Sequence, residues 1–208
     1  MGFKKIKIFQ LTNLHKGLIA AIVLLCTPSP ASAHLVTTGM GPVYDGIGHL
    51  LLTPEDLVPV LALALYAGLR GAVSGKRVLF LLPLAWFAGG LAGLTIGAIP
   101  PFPLPAMSFL ILGALVAADL RMPDNAVAAL AVCLGLVHGF LNGAALREGA
   151  GALGLLGIMG TVFMAVALGS AFVVSLRRTW MRIAVRVTGS WIGASGLLML
   201  GWFIREAK

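Results

Sequence analysis

Six apolar runs, near residues 55–70, 78–98, 106–120, 126–146, 150–175 and 183–203, take up most of this chain and leave it little polar surface to show water. A run of about 20 apolar residues spans the roughly 30 Å hydrocarbon core of a bilayer as an α-helix. A helix also satisfies its own backbone there, which an open strand cannot. Of 208 residues, 59% are hydrophobic and 11% charged, and the mean hydropathy is +1.01, far from the balance of a soluble domain. The sequence predicts an all-α fold: a polytopic membrane bundle of about six transmembrane helices. The 106–120 run is the shortest, a mismatch that tilt or local thinning accommodates.

Residues 1–33 read as an export signal, with Lys4, Lys5 and Lys7 at the start, an apolar core over 17–26, then Pro28, Pro30 and the small-residue site Ala31-Ser32-Ala33. Cleavage there exposes His34 and leaves 34–208 as a single bundle. An uncleaved anchor is the competing reading, but the core of about ten residues is short for a bilayer. The two cysteines are Cys26 and Cys133, so the mature chain keeps one thiol and forms no internal disulfide. The formal charge of +8 points to topology rather than nucleic acid, because the basic residues sit in the leader or beside apolar runs. With His34 periplasmic, the loops expected in the cytoplasm hold Arg70, Lys76 and Arg77, then Arg121, then Arg177, Arg178 and Arg182. The alternate loops hold only Arg147, and the tail Arg205 and Lys208. This asymmetry predicts a bacterial inner-membrane protein with both mature ends outside.

Polar residues inside a membrane are costly and are functional candidates by default. Asp45 and His49 stand four apart in a glycine-rich stretch. On a helix they share a face and offer a carboxylate and an imidazole to a divalent cation; in a broken segment, freed carbonyls would line a polar cavity instead. Mutual pairing at the membrane surface is the plainer alternative. His138 lies mid-run with Asn142 one turn on, and packing residue, proton relay and metal ligand are all open to it. A free N-terminal His34 offers amine and imidazole together, or is a loose terminus. Glu55 and Asp56, following Thr53-Pro54, read as first-turn acids with Thr53 as N-cap, and they also gather cations. Cys133 reads as a packing residue. Gly89, Gly93 and Gly97, and Gly151, Gly154, Gly157 and Gly160, recur at helical spacing and predict close helix contacts.

The run His34-Leu35-Val36-Thr37-Thr38-Gly39-Met40-Gly41-Pro42, then Tyr44-Asp45-Gly46 with His49, Thr53-Pro54-Glu55-Asp56-Leu57, the Pro-Val-Leu-Ala-Leu-Ala segment from Pro59 and His138-Gly139 resemble the HupE/UreJ family. The resemblance implies about six helices after a signal peptide and a secondary permease for nickel or cobalt, associated with hydrogenase or urease. It implies Asp45, His49 and His138 as metal ligands, with His34 and Glu55 as further candidates. The better-known branch carries a compact His-Pro-Gly-x-Asp-His motif. Here three residues separate Asp45 from His49, and the earlier histidine is displaced to His34.

The expected activity is passage of Ni²⁺, or Co²⁺, from periplasm to cytoplasm, with the ion as cargo and no prosthetic group. The expected partners are the cation, the bilayer and urease or hydrogenase maturation proteins. Imidazole with carboxylate suits nickel better than magnesium or calcium, which take oxygen shells. No phosphate-binding loop is present, so an ion gradient, the membrane potential or trapping would drive transport. Two charges crossing 100 mV gain about 4.6 kcal/mol. An accessory factor that hands on metal without transport is the alternative. A membrane metalloenzyme is another, disfavoured by the lack of an H-E-x-x-H helix.

Overall fold

In the computed structural model, described over residues 38–97 and 102–206, seven helices succeed one another: α1 Pro42–Leu52, α2 Pro54–Arg70, α3 Ala72–Ile96, α4 Leu104–Ala118, α5 Asp124–Leu146, α6 Gly151–Ser175 and α7 Thr179–Glu206. The leader expected over 1–33 and the candidate ligand His34 lie outside the described residues. Each of the six apolar runs forms one helix, α2 to α7, and the described residues contain no strand. The number of candidate crossings is smaller than about six. Four helices, α3, α5, α6 and α7, are long and apolar enough to cross a membrane alone, and α1 with α2 makes a fifth if counted as one bent span. The 15-residue α4 rises only about 22 Å, which accounts for the shortest run.

The α1–α2 break follows from Thr53-Pro54. A residue before proline is pushed out of the helical region, and Thr53 is extended (φ −106°, ψ 90°), so the two helices bend by 76°. Thr53 takes the N-cap position but makes no side-chain capping bond, contrary to the expected cap; Pro54 at N1 already lacks one donor that a cap would serve. A single residue, Gly71 at φ 114°, reverses the chain between α2 and α3, a conformation that a β-carbon resists.

Small residues set the packing. Along the α3–α5 seam, β-carbons at Gly89, Gly93, Gly135, Gly139 or Gly143 would run into the partner's backbone; α1 meets α6 in the same way through Gly46, Gly154 and Gly157. Close approach supplies the attraction that apolar burial cannot supply in lipid. Of the glycines expected at helix contacts, Gly97 and Gly151 instead take positive φ at helix ends, and Gly160 faces open space.

Helix α2 stands between two groups. On one side it packs on α6 and α3, which hold α5 and α1; on the other it packs on α4 and α7. The α4–α7 pair is tightly joined, with Gly113 against Gly193 and Gly189 against Val116, and meets α5 at Ser108–His138. One end of the bundle gathers Arg70, Arg77 and Arg182, bonded to residues of α2, α4 and α5. At the other, Glu55 and Glu206 line one groove.

Candidate functional site

Helix α5 carries His138 and Asn142 one turn apart on its buried face. The glycine seam brings that face against α3, where a β-carbon at Gly139 would overlap the Trp86 backbone. Trp86 thereby lies over His138, ring centroids 5.5 Å apart and planes inclined by 32°, and its Nε1 donates to Asn142 Oδ1 at 3.4 Å.

Asp56 reaches this pair from the first turn of α2. Its Oδ1 lies 2.8 Å from His138 Nδ1, and its Oδ2 accepts from Asn142 Nδ2 at 2.8 Å. Ser108 of α4 closes the set, its Oγ 2.9 Å from His138 Nε2. With the carboxylate as acceptor, Nδ1–H donates to Asp56 and the Nε2 lone pair accepts from the Ser108 hydroxyl. His138 is fully buried, and Asn142, Ser108 and Asp56 are 3%, 6% and 7% exposed. Unpaired, such groups are costly; here every one has a partner, and Arg70 Nε is the single buried side-chain nitrogen or oxygen without one among the described residues. Four helices thus converge on one imidazole, one carboxylate, one amide and one hydroxyl.

The remaining candidates lie around this network. His49 is partly buried on α1, and Asp56 is hydrogen-bonded to one histidine candidate, His138. Asp45 shares α1 with His49 but accepts from Thr38, at 2.5 Å from the backbone nitrogen and 2.7 Å from Oγ1. Glu55 is exposed in a groove of about 600 Å³ lined also by Trp202, Phe203 and Glu206, while its neighbour Asp56 turns inward. Cys133, expected to pack, is exposed and lines a cleft of about 170 Å³ between α4 and α5 that reaches Ser108 and His138. Among the described residues no three of the His, Cys, Asp and Glu side chains are grouped to hold a metal ion.

The family model described as HupE / UreJ protein matches residues 22–199. The chain belongs to the HupE/UreJ family. This is a family of metal-related membrane proteins, of transporter and accessory type rather than enzymes. No curated protein and no solved structure gives a match. The matched stretch of this HupE/UreJ chain takes in Asp45, His49, Asp56, Trp86, Ser108, His138 and Asn142, but ends before Trp202 and Glu206.

Asp56 is the main residue that the sequence reading left out of the site. The helical period held no clear signal for it: Asp56 shares its face with Val60, Leu63 and Ala67, all buried, but Glu55 shares its own with Ala62, Tyr66 and Leu69, which are buried too.

Proposed function

We propose that this HupE/UreJ protein is a secondary permease that carries Ni²⁺, or Co²⁺, across the bacterial inner membrane into the cytoplasm, for use by urease or hydrogenase maturation proteins. The observation that carries the reading is Asp56, buried at 7% exposure and hydrogen-bonded to both His138 and Asn142 inside the bundle. A cation moving inward meets imidazole, carboxylate and imidazole in turn. The Ser108 hydroxyl stands beside His138, and the Asn142 amide nitrogen holds the carboxylate by donating to it. A transport site must bind strongly enough to admit an ion and weakly enough to release it. A string of donors suits that need better than a closed cage of three or four strong ligands. The mixed nitrogen and oxygen donors favour nickel and cobalt over magnesium or calcium.

Orientation follows from the arginines. Loops rich in Arg and Lys remain in the cytoplasm, which puts the Arg70 end inside and the Glu55–Glu206 groove, with α1, toward the periplasm. The membrane potential then drives the cation inward at about 2.3 kcal/mol per charge per 100 mV.

Uptake of radioactive nickel into proteoliposomes under an imposed potential, negative inside, tests the reading. Saturable uptake that rises with the potential, is competed by cobalt more than by magnesium or calcium, and is lost in His49→Ala and His138→Ala is the expected result. No uptake by reconstituted protein that still binds nickel would assign it instead to metal handling without transport.

A further inference from the structure

The polar bonds that tie α4 and α7 to the rest of the bundle are few and lie at two levels. At the site level there is one, Ser108 to His138. At the arginine-rich end, several converge on residues 119–125, the connector after α4 together with the first two residues of α5. Arg70 Nη2 pairs with the Asp119 carboxylate and donates to its backbone carbonyl at 3.3 Å, and Tyr66 Oη donates to the Leu120 carbonyl at 2.8 Å. Ser74 Oγ donates to Asp124, and Arg77 Nη1 reaches Asn125 Oδ1 at 2.7 Å. Arg182 of α7 adds a bond to the Leu69 carbonyl of α2 at 3.2 Å. The Arg70 side chain is only 8% exposed, and Asp119 is the one described non-glycine residue at positive φ, 51°.

Above this segment α4 and α5 stand apart. Their cleft, lined by Leu112 and Leu130 toward the arginine end and by Ser108 and His138 deeper in, stops about two helical turns short of the strap. Helices α4 and α5 meet through Ser108 and His138 and along the cleft between them, and are joined by one short connection that residues of α2 and α3 fasten down. The α4–α7 pair is closely packed and rests chiefly on α2, the arrangement of a body that rocks about one helix.

We infer that segment 119–125 is the inner gate of this protein and that Arg70–Asp119 is its latch. Release of Arg70 lets α4 and α7 tilt together on α2. The cleft then extends from Ser108 and His138 to the arginine-rich face and fills with water. The gate rests on the permease reading for its purpose but not for its test.

Cys133, on the cleft wall, reports on it. In a Cys26→Ser chain reconstituted in vesicles without metal, a membrane-impermeant maleimide applied from the arginine side labels Cys133 slowly, since the cleft faces lipid. Asp119→Asn and Arg70→Gln raise the rate at least tenfold, and the exchange of Arg70→Asp with Asp119→Arg returns it toward the parent. Tyr66→Phe, which deletes one hydroxyl, raises it about threefold and serves if the charge variants do not fold; labelling of detergent-unfolded protein gives the ceiling. Labelling at the parent rate in folded Asp119→Asn or Tyr66→Phe overturns the gate. So does a raised rate that the exchange leaves at the ceiling. Labelling that follows the latch in protein that carries no nickel keeps the gate and rejects the permease, whereas nickel uptake with unresponsive labelling rejects the gate alone.

Discussion

Asp56→Asn is expected to lower nickel uptake about 100-fold, the upper part of the range for losing a group that orients a metal ligand, while the protein still folds. Asparagine matches aspartate in shape and keeps one oxygen, which accepts from either His138 Nδ1 or Asn142 Nδ2, but not both. Its NH₂ faces the other donor. A turn of the Asn142 amide relieves that conflict at the expense of the 3.4 Å bond from Trp86. The bundle thus loses a bond or two, whereas a cation at the proposed site would lose the carboxylate beside His138. Initial uptake rates at matched protein amounts, with elution from a size-exclusion column as the folding check, separate these effects. Glu55→Gln, one residue away and exposed in the outer groove, is expected to change uptake less than about threefold, because an exposed charge in water contributes little.

The second large effect is structural. Gly139→Leu is expected to lower stability by about 1–3 kcal/mol, the usual cost of overpacking, and to remove uptake with it. The nearest atoms to a β-carbon at this position belong to the Trp86 backbone, so no flexible side chain can yield and the α3–α5 seam must open. Opening it draws Trp86 away from His138 and Asn142. Gly160→Leu on α6, where nothing lies within 4 Å of a β-carbon, is the control and should leave thermal unfolding in detergent close to the parent's. Since leucine favours a helix more than glycine does, equal losses at both glycines would show that the added bulk, not the seam, sets the effect.

Much of the fold was legible because bilayer physics writes it in length and polarity. All six apolar runs are helices, and the arginines that flank them gather at one end. The missing information concerns angle and partner. The bend at Thr53-Pro54 separates α1 from the 17-residue α2, and α4 has only 15 residues, so the candidate crossings number four or five against six apolar runs. His138 and Asn142 stood out as polar residues in a long apolar run. Asp56 did not, since an acid in a first turn already has a sufficient local reason to be there, and α2 is buried along the faces of both acids, so periodicity does not tell it from Glu55. Trp86 was invisible as a site residue, and nothing tied the Ser108 hydroxyl to His138, for a different reason: which helices meet is decided by glycine contacts between distant segments, and spacing within one helix does not encode its neighbour. Asp45 and His49 do share a helical face, yet Asp45 takes its hydrogen bonds from Thr38, a short-range contact from the strand of chain before α1.

The central claim is that the cation is held at the Asp56–His138 network on its way through. X-ray absorption of purified protein loaded with one equivalent of nickel tests it most directly. A shell of nitrogen and oxygen with the multiple-scattering signature of imidazole, free of sulfur, weakened in His138→Ala and altered in Asp56→Asn, is the predicted result. A spectrum unchanged by both substitutions, or one with a sulfur ligand that disappears in Cys133→Ser, would contradict it.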